Sequence, residues 1–119
     1  MNPNPLHRHF GIPLNEWINK VPNELTKDDV GLWQIIPSLR DDFGLRDSDL
    51  ESAIRKVFEL LLGHGAVPTY GEENPDSKQI WLQLQASNVP IIEKLMSYWR
   101  SLNRDPNFGD LWFSLHKPQ

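Results

Sequence analysis

The chain contains no cysteine, which excludes a disulfide scaffold, thiol catalysis and thiolate metal sites. No apolar run approaches the roughly 18 residues that a membrane helix needs. The opening Met1-Asn-Pro-Asn-Pro-Leu-His-Arg-His-Phe10 holds no apolar stretch of signal-peptide length. A soluble cytoplasmic protein is the expectation. Basic charge is in short supply: Lys and Arg number 12 against 16 Asp and Glu, a net charge of −4. A phosphate-backbone partner calls for a basic footprint, so no nucleic acid is expected. The balance suits solubility or a basic protein partner. Gly63, Gly65 and Gly71 do not form a phosphate-binding loop, and no Gly-Lys-Ser/Thr follows them.

What is present is enough for one core. Area scaling gives about 6,600 Å² folded against about 20,000 Å² unfolded, so about two-thirds of the surface is buried without staples. Five Trp, five Phe and an apolar fraction of 39% support a single globular domain over residues 1–119. Residues 1–15, rich in proline, read as an extended amino-terminal arm laid on the body through Phe10, Ile12 and Leu14.

Along the body, Glu16–Val21 reads as a short helical turn. Thr26 followed by Asp29 is a near capping box opening a helix with Val30, Trp33 and Ile36 on one face. Pro37 breaks or kinks it, and a second short helix is expected from Ser38 to Phe43, ended by Gly44. Ser48-Asp-Leu-Glu51 is a full capping box, followed by Leu50, Ile54, Val57, Phe58, Leu61 and Leu62 at helical spacing. Gly63 stands where a left-handed cap residue is expected.

Ala66–Tyr70 then reads as a short strand restricted to an edge or a bulge by Pro68. Gln79–Gln85 alternates Ile80, Leu82 and Leu84 against glutamines and Trp81, which predicts a half-buried second strand and a hairpin. Ser87 or Asn88 caps a helix with Pro90 in its first turn and Ile91, Ile92, Leu95, Met96, Trp99 and Leu102 on its apolar face. Leu111–Leu115 is a third strand. The fold class expected is α+β, with about four helices on a small, mostly antiparallel sheet.

Two acidic groups are the candidate contact surface. Asp41, Asp42 and Asp47 lie beside Asp49 and Glu51, interleaved with Arg40 and Arg46. Glu72, Glu73 and Asp76 occupy the expected hairpin tip, an exposed place for recognition. The sequence offers each a plain alternative, because interleaved arginines neutralise carboxylates and helix starts favour negative charge. His7 and His9 form a His-x-His pair that lacks an evident third ligand, so they read as incidental surface residues, with no metal or cofactor expected. His64 between two glycines reads as a helix cap, and His116 has no evident partner.

Two other classes are carried. The helix from Ser48 and the expected hairpin suggest a winged helix-turn-helix with Arg55 and Lys56 facing DNA, against which stand Asp49, Glu51, Glu59 and the acidic tip. A small enzyme would use Trp81, Trp99 and Trp112 as pocket walls, although these tryptophans are more simply core and sheet residues. Aromatic residues near both ends would also suit a homodimer.

The pattern Tyr98-Trp-Arg-Ser-Leu102, Arg104-Asp-Pro-Asn107 and Gly109-Asp-Leu-Trp-Phe113, with Leu61-Leu-Gly-His-Gly-Ala-Val67 upstream, resembles small uncharacterised bacterial proteins. Some of these serve as immunity proteins for contact-dependent or other polymorphic toxins. The resemblance spans about residues 28–115 and implies a one-domain α+β protein that neutralises a partner by binding. On that expectation the chain is not an enzyme, and its acidic surface occludes a basic toxin domain such as a nuclease.

Overall fold

A short central strand organises the molecule. The computed structural model describes residues 4–70, 75–107 and 109–115. Among them β3 (Leu111–Ser114) lies between β1 (Val30–Gly31) and β2 (Val67–Tyr70), antiparallel to both. Val30 faces Phe113 and Gly31 faces Trp112 on one side; Pro68 faces Phe113 and Thr69 faces Trp112 on the other. Pro68 therefore sits on an edge strand, where its missing amide leaves the central ladder intact. The class is α+β, as the sequence implies.

Five α-helices surround this sheet among the described residues: α1 (Leu14–Lys20), α2 (Leu32–Pro37), α3 (Asp47–Gly63), α4 (Pro75–Gln85) and α5 (Ile91–Leu102). A 3-10 turn over Val21–Thr26 follows α1, and a wide π-helical turn over Ser38–Asp42 follows α2. The core is built from Ile54, Val57, Phe58 and Leu61 of α3, Leu95 and Met96 of α5, and Leu111 and Phe113 of β3, all fully buried. The Phe58 and Phe113 rings lie 5.5 Å apart, which locks α3 onto the sheet.

The largest difference from the sequence reading is α4. Residues 79–85 were expected as a strand, and they are helical. Ser77, Trp81 and Leu84 recur at helical spacing, and Ser77 and Trp81 are buried while Leu82 is exposed. Pro75 occupies the first helical position and Asp76 the first turn, both favourable there. Glutamine is also a good helix former. The expected hairpin is therefore replaced, among the described residues, by pairing of β2 with β3.

Three expected caps also move. α3 begins at Asp47, one residue before Ser48, without a side-chain cap bond. Glu51, expected to close the box, is instead held by Arg100 of α5 at 3.0 and 3.2 Å. Thr26 ends the 3-10 turn by donating to the Asn23 carbonyl at 2.9 Å, and Val30 is in β1 rather than on a helix face. The α5 cap is Pro90, and Ser87 instead donates to the Leu84 carbonyl at the end of α4.

The left-handed residue after α3 is Gly65, with φ +87°, and not Gly63. Ala66 N–H donates to the Leu61 carbonyl and Gly65 N–H to Leu62, both at 3.0 Å, which is the Schellman closure. His64 supplements it with Nδ1 2.8 Å from the Leu60 carbonyl oxygen, the capping role expected of it. Gly44, with φ +72°, ends the turn after Pro37 as the sequence implies.

Candidate functional site

Arginine pairing decides which carboxylates are free. The chain has six arginines. Arg40 holds Asp41 at 3.0 Å and also clamps Asp105 in the loop after α5. Arg55 meets Glu93, Arg100 meets Glu51, Arg104 meets Asp110 and Arg8 meets Asp42. Arg46 donates to the carbonyls of Arg40 and Leu45 at 2.7 and 2.8 Å. All six are thus committed within the molecule. The Arg40 guanidinium holds the Asp41 and Asp105 carboxyls below the usual carboxylate range. Arg55, the expected DNA-facing cation, is likewise engaged.

Of the sequence-derived contact residues, Asp41 and Asp42 are consumed by these pairs. Asp47 is exposed at the start of α3 with φ +50°. Asp76 is exposed in the first turn of α4, at a cleft that Arg104 also lines. Glu72 and Glu73 lie outside the described residues, as does His116. Of the acidic group around Asp41, then, Asp41, Asp42 and Glu51 are neutralised by arginine pairs, while Asp47 and Asp49 enter none among the described residues.

Asp42 has a second set of partners that the sequence reading missed. His7 is buried, 6% exposed, and its Nε2 lies 3.2 Å from Asp42. Its Nδ1 accepts the backbone N–H groups of His9 and Phe10 at 3.1 and 3.3 Å. Both ring nitrogens are therefore occupied, and His7 is not the incidental surface residue expected. The arm folds back on itself, with Leu6 bridged to Pro13 and His7 N–H donating to the Ile12 carbonyl. Phe10, expected to lie on the body, is 75% exposed at the tip of this turn. Among the described residues no group of three or more His, Asp or Glu is placed to hold a metal ion.

The His7 ring continues inward. It meets Phe43 edge-on at 5.2 Å, and Phe43 meets Trp17 of α1 at 5.5 Å. Trp17 forms one wall of a cleft of about 500 Å³. The lining also includes Glu24, Asp28 and Asp29 from the 3-10 turn and the segment after it, and Gln34 of α2. Lys20 is the one cation in the lining. None of the three carboxylates enters an arginine pair, since each arginine is engaged elsewhere. Two features hold the acidic wall: Asp28 N–H donates to the Glu24 carbonyl, and the Asp28 carboxylate accepts Asp29 N–H at 2.8 Å. The sequence showed these acids four and five residues apart beside a turn, but the Trp17 that lines the same cleft comes from another element.

A buried polar centre lies elsewhere. Asp110, fully buried, accepts two bonds from Arg104 at 2.7 and 3.1 Å, one from Asn107 N–H at 2.7 Å and one from the Ser77 hydroxyl. Burial alone would raise the Asp110 pKa, and these donors outweigh burial and hold it below the usual carboxylate range. This centre ties α4 to the loop before β3. Of the tryptophans named as pocket walls, Trp81 is buried against Tyr98 at 6.1 Å, and Trp112 meets Trp33 at 6.4 Å. Trp99 is half-buried on the core.

No helix among the described residues is long and apolar enough to cross a membrane. Comparison with protein-family models, with curated proteins and with solved structures finds no match to this chain.

Proposed function

We propose that this chain is a non-enzymatic binding module for a basic protein, an acidic immunity protein that acts in the cytoplasm by occluding a toxin domain such as a nuclease. The observation that supports the reading most is the segregation of charge. Every arginine is spent on an internal partner, while Glu24, Asp28 and Asp29 remain outside those pairs around a cleft walled by Trp17. A lysine or arginine of a partner would meet carboxylates there, and the indole face adds a cation–π attraction. Carboxylates at such a surface take the place of substrate phosphates, and the net charge of −4 steers a cationic partner to it.

The contact surface proposed centres on this cleft, with Asp47, Asp76, Glu72 and Glu73 as further acidic contributors. Asp41 and Asp42 serve to hold the scaffold. The test is affinity capture at low and moderate salt with the natural chain and with an Asp28→Lys/Asp29→Lys variant. A stoichiometric basic protein retained by the natural chain, released by salt and absent from the folded variant supports the reading. Equal retention by both would remove the cleft from the interface. Capture of DNA in place of protein would overturn the reading.

A further inference from the structure

A second groove, between α1 and α3, is separate from the acidic cleft. It encloses about 470 Å³, within the range of small-ligand sites. Its floor is apolar and buried: Leu14 and Ile18 from α1, Leu45, and Ala53 from α3. One wall is a single stripe of α3, in which Asp49, Ser52 and Lys56 succeed one another at helical spacing. The facing wall carries Asn15 and Asn19, one turn apart on α1. Asn4 of the arm closes an end, its side-chain oxygen accepting Asn15 N–H at 2.8 Å.

Among the described residues Asp49, Ser52 and Lys56 form no hydrogen bond or ion pair with other side chains, and neither do the carboxamides of Asn15 and Asn19. The arginine pairs elsewhere satisfy their carboxylates internally. Here one carboxylate, one ammonium, one hydroxyl and two carboxamides line an apolar trough unspent.

Their spacing selects a ligand. Asp49 and Lys56 are seven residues apart, about 10.5 Å along the helix axis. Three residues of extended chain span about 10 Å. We propose that the α1–α3 groove binds a free, zwitterionic peptide of about three residues. Its ammonium end lies at Asp49, its carboxylate at Lys56, and a central apolar side chain lies on Ile18 and Ala53. Ser52, Asn15 and Asn19 meet the peptide units between, because a carboxamide both donates and accepts.

The test is calorimetric titration with free-ended Ala-Leu-Ala, with its acetylated and amidated counterpart, and with Ala-Asp-Ala. The proposal expects saturable one-to-one binding of Ala-Leu-Ala. Capping both ends weakens it at least about tenfold, as losing a charged hydrogen bond does. Asp49→Asn and Lys56→Met, both on the surface of α3, each weaken it by a similar factor while leaving thermal unfolding close to that of the natural chain. Ala-Asp-Ala binds more weakly, having no apolar side chain for the floor. Absence of saturable heat at millimolar peptide would overturn the proposal. So would equal binding of the capped peptide, or no effect of either variant. Because none of these readouts involves the basic partner, failure here leaves the acidic cleft untouched.

Discussion

His7 donates through Nε2 to the carboxylate of Asp42, 35 residues later in the chain, across 3.2 Å. With Nδ1 accepting two backbone N–H groups, the ring is held as one tautomer and staples the arm to the turn after α2. Truncation to His7→Ala removes three hydrogen bonds and the edge contact with Phe43. The expected cost is about 2 kcal/mol, read as a lower urea midpoint. Release of the arm should also speed tryptic cleavage after Arg8. An unchanged midpoint together with an unchanged cleavage rate would refute the staple.

Arg104 and Asp110 form the pair with the strongest consequence for pH. Burial opposes the Asp110 carboxylate, and Arg104, Ser77 and Asn107 overcompensate, so its folded pKa lies below the unfolded one. Such a group stabilises the fold above the ordinary carboxylate value near 4. That contribution is lost as pH falls through the lower folded value. Arg104→Met leaves the carboxylate buried with less compensation, at a cost of about 3 kcal/mol near neutral pH. The deficit should shrink below about pH 4, where Asp110 can be protonated. Urea midpoints of both proteins at about pH 7 and about pH 3 check this; a deficit independent of pH would contradict it.

Tyr98 is fully buried against Trp81, and its hydroxyl has no hydrogen bond within normal geometry among the described residues. Burial pushes its pKa up from 10.0 to about 12. Below the unfolded value the phenol is neutral in both states. As pH rises from 10.0 toward about 12, the unfolded chain ionises first and stability falls. Tyr98→Phe should change neutral-pH stability by less than about 1 kcal/mol, because no made bond is lost. It should also flatten the alkaline limb of the stability profile. A loss of several kcal/mol at neutral pH would show that the hydroxyl has a partner.

Gly31 makes room for an indole. A Cβ at this position would lie 2.6 Å from Trp33 Cδ1 and 3.1 Å from Trp112 Cε3. Gly31→Ala therefore forces Trp33 or β1 to move, at an expected cost of about 1–3 kcal/mol. Near-ultraviolet circular dichroism should change with it, since Trp33 and Trp112 stack edge to face. A variant as stable as the natural chain, with an unchanged tryptophan spectrum, would mean that β1 adapts freely.

The sequence by itself determined the elements whose information is local. α3 and α5 carry long apolar faces at helical spacing, so their existence follows from periodicity. β2 and β3 are short apolar runs bounded by turn residues, with Pro68 marking an edge or a bulge and the sheet order deciding for the edge. The absence of cysteine and the acidic balance are equally independent of the fold. Glu51 shows where local reasoning stops: a capping box satisfied in sequence lost to Arg100, because a bidentate charged pair across helices outcompetes a single reach-back bond.

Only the tertiary structure decided the rest. In residues 79–85 the apolar positions satisfy both periods over so short a span, and burial of Trp81 beside Tyr98 selected the helix. β1 is two residues long and exists because β3 offers it a ladder. The interleaving of Arg40 with Asp41 was visible as a source of neutralisation, but the folded chain brought Asp105 to the same arginine and His7 to Asp42. The acidic cleft escaped notice because its Trp17 wall and its carboxylates belong to different elements. Those partners are far apart in sequence and meet only after the chain has closed, so no local pattern records them.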